Sequence, residues 1–394
     1  MAESPAMFSL LRNARVWAPE ALGVCDLAVV NGRIAALAPA LDSFPSWCNA
    51  IETDLEGRTV IPALIDGHVH ITGGGGEAGP GSRIPPLSAE TFRAAGIGTV
   101  VGLLGTDDTT RTTGDLVAWT RELGAQDVSA YCLTGGYHVP LTTLTGSVRG
   151  DMAWIDVVIG VGELAISDHR SSRPSNEELV RIAADAHVGG LMSGKAGILH
   201  LHIGDGPAGL DPIRKALASS DLPAAVFHPT HVNRRKALFE EALDLARQGS
   251  PVDVTAFPVA ADEDGWAAPD ALIRYLESDA PDDLITMTSD GGGCLPAFDT
   301  DGQVTSYEVA APRALADAFR AAVVAGVPIE TALPCLTTNP ARVFGLVGKG
   351  ALERGKAADL VVLDDLLMPQ RVMLGGTWYG PDGTASPRMR SNDD

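Results

Sequence analysis

The sequence predicts an α/β fold, a parallel (β/α)8 TIM-like barrel carrying a small β-sandwich domain built from both chain ends. Two patterns predict it. Between about residues 61 and 345, short apolar runs alternate with amphipathic stretches, as when each strand is followed by a helix. On either side of that region the pattern changes to short strands and tight turns, so both ends are expected to share one domain. The expected division is therefore residues 1–60 plus 346–394 for the sandwich and 61–345 for the barrel. A chain of 394 residues, 45% of them hydrophobic, is long enough for a large core with an accessory piece.

In the amino-terminal part, residues 26–30, the turn Asn31-Gly32 and residues 33–37 read as a hairpin, because Asn-Gly supplies the positive φ angles of a tight hairpin turn. At the other end, residues 359–363 and 370–378 read as further strands. In the middle, strands are expected at 58–65, 99–104, 129–133, 198–202, 224–227 and 284–288. Helices are expected at 176–187, where Ser175 and Glu178 have capping-box spacing, and at 239–248 and 312–325, each followed by a glycine stop.

Charge and cysteine content narrow the function. A net charge of −21 argues against nucleic acid or an anionic membrane surface as partner. The five cysteines are odd in number and scattered, which suits reduced thiols better than a disulfide framework. No apolar run reaches the roughly 18 residues of a membrane span, and the first 24 residues lack the core of a secretory signal. A soluble, cytoplasmic protein is expected.

The chemistry is expected around Ile65-Asp66-Gly67-His68-Val69-His70. Side chains two apart on a strand share a face, so His68 and His70 project together where two imidazoles can hold one divalent metal. Polar residues then recur near the ends of the later strands: Thr106, Tyr137, Glu163 with Arg170, His202, His231 with Arg234, and Asp290. His200 and His202 share a face as well. Position nearer the strand end favours His202 as ligand, with His200 packed in the core. The same consideration favours His231 over His228. His138, His169 and His187 are read as structural. Asp290 precedes a glycine-rich loop, where a carboxylate can bind metal and move a proton, or can simply cap local amides. Gly189 to Lys195 has the spacing of a phosphate loop. Ala196 stands where that loop needs a hydroxyl, and the order of helix and strand is reversed, so nucleotide binding is excluded.

These residues resemble the amidohydrolase superfamily of metal-dependent barrels, including the tail at residues 355–363. Within it the chain is similar to the isoaspartyl (β-aspartyl) dipeptidase family. The matching stretches are residues 66–70 with 73–80, 100–107, Leu133-Thr134-Gly135 with 137–140, 165–170, 229–234 and 289–291, spread over nearly the whole chain. The resemblance implies a homo-oligomeric hydrolase with two divalent metal ions, most often Zn2+. His68, His70 and Asp290 would hold one ion and His202 and His231 the other. A hydroxide bridging the ions would attack the side-chain amide of a β-aspartyl dipeptide. Asp290 would act as general base and then acid, and Tyr137 would polarise the carbonyl. Glu77 would meet the α-ammonium, Gly75 and Thr106 the aspartyl carboxylate, and Arg170 and Arg234 the carboxylate of the second residue.

Two positions depart from that pattern. The family bridges its metals with a carboxylated lysine, whereas here the strand reads Gly160-Val161-Gly162-Glu163-Leu164. No carboxylated lysine is expected, and Glu163 is expected to bridge the ions directly. Its side chain is three bonds shorter, so its backbone must start about 3–4 Å closer. The segment is also one residue longer, at Gly162, and a glycine bulge is expected to re-aim the next side chain. The other departure is Cys294, where the family has a substrate-side serine. The larger, more apolar thiol is expected to alter the preference for the second residue. Two alternatives are another amidohydrolase activity, on cyclic amides or N-acyl amino acids, and a barrel that serves as a non-catalytic scaffold.

Overall fold

The computed structural model describes residues 7–385 apart from 78, 261 and 299–303, so the outermost residues of both predicted end segments lie outside the described residues. The amino-terminal strands are β1 (Phe8–Trp17), β2 (Ala21–Val30), β3 (Arg33–Ala38), β4 (Ile51–Asp54) and β5 (Thr59–Pro62). The hairpin expected at Asn31-Gly32 is present, with Val30 paired to Arg33.

Eight parallel strands follow: β6 (Leu64–Val69), β7 (Ile97–Gly102), β8 (Ser129–Thr134), β9 (Val158–Ile166), β10 (Ile198–Ile203), β11 (Phe227–Thr230), β12 (Val252–Thr255) and β13 (Ile285–Thr288). Each is followed by a helix: α1 (Ala89–Ala94), α2 (Thr113–Ala125), α3 (Val148–Trp154), α4 (Asn176–Ser193), α5 (Asp211–Ala218), α6 (Lys236–Arg247), α7 (Ala268–Leu276) and α8 (Ala314–Val324). Strands β6 to β11 form a six-stranded sheet in chain order, and β12 pairs with β13. A parallel bridge from Val69 to Gly291 connects the segment after β13 to β6. Nearly every residue of these strands is buried, as expected for strands covered by helices on one side and filled on the other.

A separate hairpin, β14 (Cys294–Phe298) and β15 (Val304–Val309), follows the last of these strands. The chain ends in β16 (Leu360–Leu363), β17 (Pro369–Leu374) and β18 (Thr377–Tyr379). Both chain ends contribute to one eight-stranded sheet, in which β16 lies between β5 and β17. That sheet has its own apolar core, in which Leu11, Val29 and Val60 meet Leu360, Val362 and Met373.

Four expectations need correction. The apolar run 58–65 is two strands, because at Ala63 the chain leaves the terminal sheet for the parallel one. The Ala63 N–H still donates to Asp359 O, while the Leu64 N–H donates to Gly96 O. Residues 224–226 form a 3-10 turn, and the strand begins at Phe227. Strand β12 was not expected, because Val-Asp-Val-Thr puts a buried carboxylate in so short a run. Helix α4 runs six residues past its expected end, to Ser193, and is stopped by Gly194 in the left-handed conformation. Its capping box at Ser175 and Glu178 is formed, a motif worth about 1 kcal/mol. Among the described residues no helix is long and apolar enough to cross a membrane, and all five cysteines are free.

Candidate metal centre

The carboxyl ends of the parallel strands surround a cavity of about 1140 Å3. Every candidate residue lines it except His68, which lies wholly buried beneath its floor. Gly75, Thr106, Arg234 and Cys294 stand on its wall, around the cluster of histidines and acids.

Three overlapping trios of ligand atoms lie within 4.8 Å of one another: His68, His70 and Glu163; His68, His231 and Asp290; and Glu163, His202 and His231. Nε2 of His68 and of His70 lie 3.3 and 3.1 Å from Oδ1 of Asp290. The Glu163 carboxylate spans the two groups, with Oε1 3.4 Å from His70 Nε2 and Oε2 3.1 Å from His202 Nδ1. His231 Nε2 is 3.7 Å from the same Oε2. His202, rather than His200, faces the acids.

Strand β9 carries the bulge that the extra residue implied. Leu199 pairs with Val161 and Leu201 with Leu164, so Gly162 and Glu163 together oppose His200. Glycine is required there. Its φ is +149°, and a Cβ would lie 2.7 Å from the His200 carbonyl oxygen. Gly75 is constrained in the same way, with φ +74° and a Cβ 2.3 Å from Ser82 O.

Several supporting residues were not assigned from the sequence. Asp66 accepts from the Ser289 N–H at 3.1 Å and from its hydroxyl, which ties the turn bearing Asp290 to β6. Asp168 accepts from Arg170 Nε and Nη2 at 3.0 and 2.8 Å and lies 3.0 Å from His202 Nε2. It therefore holds both the Arg170 guanidinium and a cluster imidazole. Buried Arg111 donates to Thr72 O and Ile84 O, spanning the glycine loop that carries Gly75 and Glu77. The only advance signal was position, since Asp66 and Asp168 each lie two residues from a named candidate. His138, read as structural, bridges Asp108 and Arg170 O.

The electrostatics favour a bound cation. Burial alone would lower the His68 imidazole, yet the charges of Glu163 and Asp290 outweigh it and hold the group up at about 9. Burial would raise Glu163, but His68 and His202 bring it well below the usual carboxylate range. Burial lifts Tyr137 well above its ordinary value, so its phenol keeps its proton. His68 Nε2 and Asp290 Oδ1 are buried without a hydrogen-bond partner, although they face each other. Orphaned imidazole and carboxylate atoms converging in one pocket are the donor set a divalent metal completes.

The amidohydrolase family pattern matches residues 59–379. The chain belongs to the amidohydrolase family. This amidohydrolase superposes with a TM-score of 0.90 on a β-aspartyl dipeptidase from the thermophilic keratin degrader Fervidobacterium islandicum AW-1, solved with the dipeptide β-Asp-Leu. The two are 37% identical over 97% of this chain and 99% of the other. It is also 26% identical to an allantoinase from Rubrobacter xylanophilus, over 86% of this chain and 82% of the relative. An imidazolonepropionase from Caulobacter vibrioides is likewise 26% identical, over 88% of this chain and 89% of the relative. The chain is a hydrolase, with a His/Glu/Asp cluster suited to divalent metal.

Proposed function

We propose that this amidohydrolase is a β-aspartyl dipeptidase, cleaving the amide between an aspartyl side chain and the next residue. The observation that carries this reading is the pairing of Glu77 with Arg170. Arg170 Nη1 lies 3.4 Å from Glu77 Oε1 on the wall of the cluster cavity. A zwitterionic dipeptide offers each partner an opposite charge. A cyclic or N-acyl substrate lacks the ammonium that Glu77 would meet. The likeness to a protein solved with β-Asp-Leu supports the same choice.

In this reading, His68, His70 and Asp290 would hold one divalent ion and His202 and His231 the other, with the Glu163 carboxylate available to both. Zinc is the expected metal, and when bound the ions would polarise the scissile carbonyl and acidify a water. Asp290, facing that space, would take the proton from the water and pass it to the departing amine. Tyr137 would donate to the developing oxyanion, and Glu77, Gly75 and Thr106 would orient the aspartyl group. Arg170 and Arg234 would hold the carboxylate of the second residue, and Cys294 would border that residue. The guanidinium forks suit a planar carboxylate.

The eight parallel strands are read as a closed barrel, which the Val69–Gly291 bridge supports. The terminal sheet is read as a sandwich domain of residues 1–60 plus 346–394. Cytoplasmic location and homo-oligomeric assembly complete the proposal. The test is amine release from β-Asp-Leu compared with α-Asp-Leu, N-acyl amino acids and cyclic amides. Cleavage of the β-linked dipeptide is expected. Hydrolysis confined to the N-acyl or cyclic compounds would overturn the assignment.

A further inference from the structure

Two wholly buried histidines, His200 and His228, take no part in the chemistry above. They lie in a single line that starts at the cluster. Nδ1 of His68 is 2.8 Å from Nε2 of His200, and Nδ1 of His200 is 2.9 Å from Nδ1 of His228. Nε2 of His228 is 3.1 Å from the Thr286 hydroxyl. That hydroxyl lies 2.6 Å from Oδ1 of Asp253. The Asp253 carboxylate also accepts from the hydroxyls of Thr230 and Thr288, at 2.7 and 2.6 Å. The line thus crosses β6, β10, β11 and β13 and ends on β12.

Each contact between two ring nitrogens holds one proton: with none there is no bond, and with two the N–H groups collide. The hydrogen-bond partners of His200 and His228 among the described residues are His68, each other and the Thr286 hydroxyl, with no carboxylate to hold a second proton on either ring, so each carries a single N–H. For a His68 with a single proton, as a metal-bound imidazole has, the line then has two proton orders. In one, every donor points toward Asp253, and His68 donates from Nδ1. In the other every donor points back, and His68 must carry its proton on Nε2, the atom that faces Asp290 and Glu163. Thr286 has one hydroxyl proton to give. A carboxylate at 2.6 Å accepts it in preference to a neutral imidazole at 3.1 Å.

We propose that Asp253, acting through Thr286, His228 and His200, commits Nδ1 of His68 to donating inward and so reserves Nε2 for a metal ion. These four are positioning residues, since none of them touches the substrate. The inference rests on the metal-centre reading and is independent of which amide is cleaved.

Thr286→Val keeps the shape of the side chain and breaks the line. Zinc binding measured by chelator competition is expected to show one of the two affinities weakened about 10–100-fold, the range for loss of a partner behind a metal-bound imidazole. Thr286→Ser, which keeps the hydroxyl, is expected to bind zinc as the parent does. Thr288→Val removes a different hydroxyl from the same carboxylate, so it should lower the melting temperature and leave both zinc affinities intact. His228→Gln is a second break in the line and should weaken the same affinity if Thr286→Val does not fold. Unchanged zinc affinity in both line-breaking variants would overturn the inference. Equal losses in the two valine variants would also overturn it. Zinc affinity is read without substrate, so failure here is a separate result from failure of the dipeptidase reading.

Discussion

Oε2 of Glu163 faces Nδ1 of His202 across 3.1 Å, while the other oxygen of the same carboxylate lies 3.4 Å from His70. One short side chain therefore reaches both halves of the cluster. In the pattern that the sequence resembles, a longer, carboxylated lysine is expected at this place. The backbone makes up the difference, because the bulge in β9 gives Glu163 a direction that regular pairing would not.

If Glu163 is itself the bridging anion, no carbon dioxide is needed to complete the site. Metal-depleted protein is expected to regain full metal content and activity equally well with and without bicarbonate. Glu163→Gln should stay folded but retain fewer ions after dialysis, because a neutral amide is a poor partner for two cations. Strict bicarbonate dependence of reconstitution would remove Glu163 from this role.

Tyr137 remains a donor over the working pH range, since burial holds its phenol well above the ordinary value. Tyr137→Phe is expected to lower kcat by about 10²–10³, the usual loss when one oxyanion donor is removed. KM and metal content should change little. A rise in KM with kcat preserved would make Tyr137 a binding residue instead.

Much of this site was legible because ligand chemistry forces particular residue types to strand ends. His68 and His70 could be read from a period of two, His202 from its place near a strand end, and His231 from its place past an apolar run. The supports were not legible. Asp253 sits in a four-residue strand that its own charge disguises. The partnership of His200 with His228 depends on the register of β10 against β11, where the two face each other. The split of residues 58–65 between two sheets was hidden for a similar reason: an apolar run records burial and not which core buries it.

Cys294 offers a check on the cavity wall. Burial pushes its thiol up to about 11, with the charge of Glu77 adding to the effect. The folded pKa is raised, so the thiol is protonated through neutral pH and ionises only in strong base. Its alkylation by iodoacetamide should accelerate about tenfold per pH unit up to roughly pH 11, because only the thiolate reacts. A rate that levels off near pH 8 would mean an exposed or activated sulfur.

The bulge itself can be tested at Gly162. An alanine there would place its Cβ 2.7 Å from the His200 carbonyl oxygen and 2.8 Å from the His200 Cβ, at a φ of +149°. Neither neighbour is a flexible tip, because both belong to the core of β10. The strands must therefore separate, at a cost of about 1–3 kcal/mol for overpacking. That separation moves Glu163 away from four imidazoles at once. Gly162→Ala is thus expected to melt earlier and, well below its melting temperature, to bind fewer metal ions than the parent. Lower stability with full metal content would mean that the bulge serves packing alone and that Glu163 reaches the cluster without it.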